Sequence, residues 1–176
     1  GVAVSPDGAR AYVTNSEGAS VSVIDTATNT ITATVGVGSF PLGVAVSPDG
    51  TRAYITNTRG ASVSVLDTVT NTITATVGGF TNPWGVVVSP DGTRAYVTNS
   101  GGTTVSVLDT ATNQVMATIG GFTNPIGVAV SPDGTRTYVT NDGRGTVSVL
   151  DTATGAGGNG GVGGDGGAVG DGGAGG

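Results

Sequence analysis

The stretch GVAVSPDGTRAYITNTRGASVSVLDTVTNTITATVGGFTNPW, residues 43–84, holds four short runs rich in Val, Ile and Thr, separated by turn signals. They lie near Gly43–Ser47, Arg52–Asn57, Ser62–Asp67 and Thr72–Val77, five or six residues each, which is strand length. The first carries Val44, Ala45 and Val46 with no polar alternate, the pattern of a strand buried on both faces. It belongs innermost. The fourth alternates Thr72, Thr74 and Thr76 with Ile73, Ala75 and Val77, as a strand with one face in water does, and belongs outermost. Between the first two, Ser47-Pro48-Asp49-Gly50 supplies a Pro to preset φ and a Gly for positive φ, a tight hairpin. Between the last two, Asp67-Thr68-Val69-Thr70-Asn71 is a longer polar turn whose Asp and Asn can bond their own backbone. The four strands are expected to form an antiparallel meander.

The same pattern recurs along the chain. GVAVSPDG begins at Gly1 and Gly43, GVVVSPDG at Gly85 and GVAVSPDG again at Gly127, each 42 residues after the last. Equal four-strand units in unbroken phase fit the blades of a β-propeller, whereas a β-sandwich, the main competitor, needs no such equality. The fold class read from the sequence is therefore all-β: a β-propeller of four tandem 42-residue blades at 1–42, 43–84, 85–126 and 127–154, the last lacking its outer strand. From Gly155 the pattern stops, and 14 of the 22 residues in 155–176 are Gly. That low-complexity tail reads as a flexible linker. It lacks the Pro of a collagen helix. Its stretch Gly160–Asp165 touches the start of a calcium-binding nonapeptide, but Gly167 sits where an apolar residue should.

Composition excludes much chemistry. The chain of 176 residues has 29 Thr, 27 Val and 34 Gly but no Cys, His or Lys. Thiol, imidazole and amine catalysis, disulfides and thiolate metal sites are all removed. Six Arg against twelve acids give a net charge of -6, which opposes a nucleic-acid backbone, and no run approaches a membrane span. No cofactor and no metal are expected. The chain starts without Met and in mid-pattern, which reads as a piece of a longer protein.

The segments Tyr12–Asn15, Tyr96–Asn99 and Tyr138–Asn141, with Tyr54–Asn57 as variant, each follow SPDG and precede V-S-V-(I/L)-D-T. This resembles the YVTN family of β-propeller repeats over residues 1 to about 154. Many members have about seven blades. The glycine triplets of the tail are similar to the PGRS regions of the mycobacterial PE-PGRS family of cell-envelope proteins. These resemblances imply a secreted, surface or envelope location and a binding or structural role.

Paired carboxylates could serve glycoside hydrolysis. Eight of the acids, however, recur in fixed phase: Asp7, Asp49, Asp91 and Asp133, then Asp25, Asp67, Asp109 and Asp151. A residue present in every blade is expected to serve the blade, and Glu17 and Asp142 have no evident catalytic partner. Trp84 shares its phase with Leu42 and Ile126, so an inter-blade packing slot competes with ligand stacking. Phe80, Phe122 and Phe40 read as loop packing. Met116 replaces the Thr of positions 32 and 74 on the wet side of the fourth strand.

Three expectations follow from register and topology. If Asn57 and Ser62 flank the turn as a pair, Arg52 lies opposite Asp67, and likewise Arg10 opposite Asp25, Arg94 opposite Asp109 and Arg136 opposite Asp151, giving a cross-strand ion pair in every blade. The blades are expected to form an open arc rather than a tight ring, leaving Val147 and Val149 beside an unpaired edge and inviting self-association. The third concerns binding. SPDG is unchanged in all four repeats, whereas the opposite rim brings together Glu17, Arg59, Asp142, Arg144 and Trp84, with Arg59, Arg144 and Trp84 as the anchors expected for a protein or glycan. The first functional reading is a non-catalytic surface scaffold; the alternatives are a propeller enzyme of lactonase or quinoprotein type and a structural spacer.

Overall fold

Regularly spaced turn residues cut the chain into strands, and the computed structural model, which describes residues 1–152, places them where those residues dictate. The first blade is β1 (Val2–Val4), β2 (Arg10–Asn15), β3 (Ser20–Asp25) and β4 (Thr30–Gly36). The second is β5 (Pro41–Val46), β6 (Arg52–Asn57), β7 (Ser62–Asp67) and β8 (Thr72–Gly78). The third is β9 (Pro83–Val88), β10 (Arg94–Asn99), β11 (Thr104–Asp109) and β12 (Gln114–Gly120). The fourth has β13 (Pro125–Val130), β14 (Arg136–Asn141) and β15 (Thr146–Asp151). Within each sheet the strands follow chain order, and every neighbouring pair is antiparallel. The glycine-rich tail and its triplets lie outside the described residues.

In the SPDG hairpin the geometry is self-sufficient. Gly50 adopts φ 72°, its N–H donates to the Ser47 carbonyl at 2.8 Å, and the Arg52 N–H donates to Ser47 Oγ at 3.0 Å. At the longer turn Asn71 takes φ 54°, a left-handed conformation that Asn tolerates, and the Thr70 N–H donates to the Asp67 carboxylate at 2.8 Å.

The blades stack face to face, with the inner strands β1, β5, β9 and β13 touching in sequence. Three apolar layers fill the joints. Tyr12, Val21 and Val23 of the first blade meet Ala53, Ile55 and Leu66 of the second. Tyr54, Val63, Val65 and Phe80 meet Val88, Ala95, Val97 and Leu108 of the third. Tyr96, Val105, Val107 and Phe122 meet Val139 and Leu150 of the fourth. Each blade thus has a forward face, carrying the Tyr, and a back face, carrying the residues on either side of the Tyr in its strand. As expected for an innermost strand, Val44 and Val46 of β5 pack backward while Ala45 packs forward.

The outermost strand departs from the strict alternation of its sequence. β8 pairs Ala75 with Val65 but Ile73 with Leu66, so a bulge inserts one residue between them. Ile73 consequently packs on the preceding blade and Ala75 and Val77 on the following one. The inserted residue is Thr74, whose hydroxyl donates to the Val65 carbonyl at 3.2 Å; Thr32 does the same for Val23. Met116 holds this position in the third blade and stands 54% exposed.

The stack is open at both ends. Tyr12, Tyr54 and Tyr96 are 1%, 0% and 3% exposed, but Tyr138 is 39% exposed. Val2 and Val4, on the back face of the first blade, are 66% and 55% exposed. A closed four-blade ring would bury both faces against each other, so the described residues form an arc.

Candidate functional site

In the first three blades the threonine of the YVTN segment ties three strands together. Thr56 Oγ1 accepts the Gly43 N–H at 2.8 Å and donates to the Trp84 carbonyl of the next blade at 2.7 Å. Thr98 repeats this with Gly85 at 2.8 Å and Ile126 at 2.7 Å. Thr14 donates to the Leu42 carbonyl at 2.9 Å. The strand pairing slips at this point, between Pro41 and Val44, and the hydroxyl supplies the bond that the slipped ladder omits. The backbones come so close that a Cβ on Gly43 would stand 2.4 Å from the Trp84 carbonyl oxygen. Leu42, Trp84 and Ile126 therefore share a phase in which the joint uses their carbonyls. The Trp84 side chain itself remains 40% exposed.

The four Arg–Asp positions stand directly opposite in the ladder, as the register requires. The expected ion pairs do not follow from it in the first three blades. Arg10 donates to the Thr68 carbonyl, Arg52 to that of Thr110 and Arg94 to that of Thr152 at 3.0 Å, each crossing to the following blade. The carboxylates bond the other way, into their own turns: Asp25 accepts the Thr28 N–H at 2.8 Å and Asp109 the Thr112 N–H at 2.8 Å. A carbonyl in the next blade and turn N–H groups in the same chain segment outcompete the facing partner. These turn bonds hold the carboxyls of Asp25, Asp67 and Asp109 below their ordinary range.

At the SPDG end the serine hydroxyl bonds the aspartate two residues on, and this lowers Asp7, Asp49 and Asp91. Asp133 is lowered to about 2 by Ser131 and by the Thr135 N–H and hydroxyl. Clefts open between successive SPDG turns, where the sequence pattern shows only a tight hairpin. The one between the second and third blades encloses about 480 Å³ and is lined by Asp49, Arg52, Tyr54, Asp91 and Thr110. Equivalent clefts of about 390 and 440 Å³ lie in the joints before and after it. Burial pushes the Tyr54 phenol up, against the pull of neighbouring Arg52. The period of 42 carried the signal: Arg, Tyr and Asp recur together with it.

At the opposite rim each loop leaving an outer strand bonds the hairpin of the blade it enters. The Thr58 N–H donates to the Phe40 carbonyl at 3.0 Å, Ser100 to Asn82 at 3.1 Å and Asp142 to Asn124 at 3.1 Å. The rim acceptors are left-handed: Asn82 at φ 47°, Asn124 at φ 50° and Phe40 at φ 56°. Asn tolerates that region, but a bulky side chain there is strained by about 1–3 kcal/mol. The strained Phe40 ring lies beneath the Arg59 guanidinium, 4.0 Å from its centre, a cation–π contact.

No protein-family model matches the chain, and no curated protein does. Among solved structures it is similar to hydrazine synthase of Kuenenia stuttgartiensis, with a TM-score of 0.82 and 34% identity over 88% of this chain and 46% of that one. It is also similar to a functionally unknown protein from Desulfotomaculum acetoxidans (TM-score 0.75, 22% identity, 87% of this chain, 54% of that one). U3-55K gives a TM-score of 0.79 at 16% identity, over 88% of this chain and 49% of that one. The last two likenesses concern fold alone. The chain spans about half the length of these solved chains. Blades of meander topology, stacked in series on their inner strands, decide the architecture. The fold is a β-propeller.

Of the residues expected at a propeller rim, Arg59 is exposed and joined to Phe40. Asp142 accepts a bond from Asn124 Nδ2 at 3.1 Å, and Glu17 and Arg144 are exposed in their hairpins. Phe80 and Phe122 are buried in propeller joints, as loop packing requires. Among the described residues no group of three or more acids is placed to hold a metal ion, and no helix is long and apolar enough to cross a membrane.

Proposed function

We propose that this chain is a non-catalytic propeller scaffold at the bacterial cell surface or envelope, whose loop rim binds a protein or glycan. The observation that carries the reading is Phe40, held in a left-handed conformation under Arg59 where the other two connections use Asn. Strain of that kind persists where something else holds it in place, and it clusters at binding sites. Trp84, 40% exposed, adds an aromatic surface for stacking. Arg59 and Trp84 are residue types enriched in binding hot spots. The turn aspartates, by contrast, are consumed by their own hairpins. The envelope location rests on the resemblance to YVTN and PE-PGRS proteins, and protease accessibility on intact cells tests it separately.

Glycan and protein arrays probed with the purified chain identify the ligand class. Exchanging Arg59 and Arg144 for Ala then weakens binding about tenfold or more without lowering the melting temperature. Unchanged affinity, or protection confined to the SPDG clefts, overturns the rim assignment, and an absence of ligands favours the spacer reading. The alternative is a propeller enzyme of lactonase or quinoprotein type. Metal analysis of the purified chain separates it: stoichiometric metal supports that reading, which would need carboxylates and carbonyls as ligands because the chain has no His or Cys.

A further inference from the structure

The cleft between the second and third blades has a described blade on either side, and one group in it has no structural task. Tyr54 lines this cleft, 0% exposed, with its ring packed in the joint. Its buried hydroxyl has no hydrogen-bond partner among the described residues. Arg52, beside it in the cleft, can only donate, so the phenolic proton finds no acceptor. A phenylalanine would fill the joint as well, and a buried hydroxyl without its bond costs stability. The hydroxyl therefore does nothing for the blade that its ring does not already do.

The groups around it both give and take. The bond from Arg52 to the Thr110 carbonyl fixes the guanidinium at the cleft and leaves it further N–H donors. Asp49 accepts Ser47 Oγ at 2.5 Å and the Thr51 N–H and hydroxyl at 3.0 and 2.9 Å, and Asp91 is held alike by Ser89 and Thr93. Each carboxylate thus keeps about one of its roughly four acceptor positions for something outside its hairpin. A cationic ligand would meet Arg52, and an anionic one would meet both carboxylates. A neutral hydroxyl, which donates and accepts, can bond them all. Pro48 and Ala111, both exposed, add an apolar wall for the C–H face of a ring, and about 480 Å³ is room of ligand size. We propose that this cleft binds a neutral sugar ring, one hydroxyl of which accepts the Tyr54 proton. Tyr12 with Arg10 and Tyr96 with Arg94 line the flanking clefts, so the site recurs at successive joints. It lies at the end opposite the loop rim and does not rest on the rim's ligand.

The test is amide NMR of the full 176-residue chain titrated separately with the methyl glycosides of glucose, galactose and mannose. Gly50, Gly92 and Gly134 each line a different cleft, so their amides report the sites one by one. At least one glycoside is expected to shift Gly92 saturably. Tyr54→Phe removes only the hydroxyl, and is expected to weaken binding at Gly92 about tenfold or more while binding at Gly134 stays unchanged and the melting temperature holds or rises. The proposal is overturned if none of the three sugars shifts Gly92, or if Tyr54→Phe leaves the affinity there unchanged. A lowered melting temperature in that variant also overturns it, because the hydroxyl then serves the joint. So do shifts confined to Gly60 and Gly143 of the rim hairpins, which support the rim reading alone, or tighter binding of inorganic phosphate or methylammonium, which marks a site for charge.

Discussion

Replacing Thr56 by Val tests the account of the joints, because it keeps the branched shape and removes only the hydroxyl. That hydroxyl is fully buried and serves two blades, accepting from Gly43 and donating to Trp84. Its loss orphans an N–H and a carbonyl where the backbones are too close for water to reach them. A buried polar group left without its bond costs about 1–3 kcal/mol, and a carbonyl, with its second lone pair, sits at the low end; the sum is about 2–4 kcal/mol. Thr98→Val, at the next joint, should cost the same. Thr74→Val is the control, since its hydroxyl donates at 3.2 Å on an outer strand exposed to water, and about 0.5 kcal/mol or less is expected. Urea unfolding, followed in parallel by Trp84 fluorescence and circular dichroism, measures all three. Losses for Thr56→Val and Thr74→Val within about 0.5 kcal/mol of each other would refute the reasoning.

Gly85→Ala should disrupt the joint, its Cβ meeting the Ile126 carbonyl oxygen at 2.4 Å, while Gly78→Ala, with nothing within 4 Å, should leave the melting temperature nearly unchanged. Equal effects of the two would show that the close approach is dispensable. Arg52→Met keeps the aliphatic stem but loses the bond to Thr110, and is expected to lower stability by about 1–2 kcal/mol, or roughly 2–8 °C in thermal melts. Acid should also destabilise the chain. The turn aspartates have lowered native pKa values, so their contribution is complete above the unfolded-state value near 4 and is lost as pH falls through the folded values, about 2 for Asp133. Melting temperatures should hold down to about pH 4 and decline below it, and a decline already complete at pH 5 would contradict this.

Strand limits and their order were legible because Pro-Asp-Gly and the Asp-to-Asn turns have backbone requirements written in side chains. The incomplete fourth unit left ring and arc both open, and the arc was expected only from the blade number of the family that the repeats resemble. The bulge was not legible: Thr72–Val77 alternates perfectly, and only the pairing of β8 with β7 marks Thr74 as the extra residue. The Arg–Asp register was readable by counting, but the arginines' acceptors were not, since a carbonyl in the next blade has no residue identity to recognise. For the same reason Trp84, Leu42 and Ile126 looked like a side-chain slot when the joint draws on their backbone. At the rim, Arg59 could be picked out as a variable charge. That Phe40 would accept a left-handed backbone to lie beneath it could not be read from its letter.

Because each unit carries one half of a joint on either face and the spacing of 42 never slips, copying or deleting one whole unit leaves every surviving joint unchanged. A gene of this kind can lengthen or shorten by unequal recombination between its own repeats without the protein having to solve a new packing problem. Natural variants should therefore differ by whole units, while insertions of any other length should fall in the rim loops, where Gly36–Pro41 already departs from the spelling of Gly78–Pro83 without breaking phase.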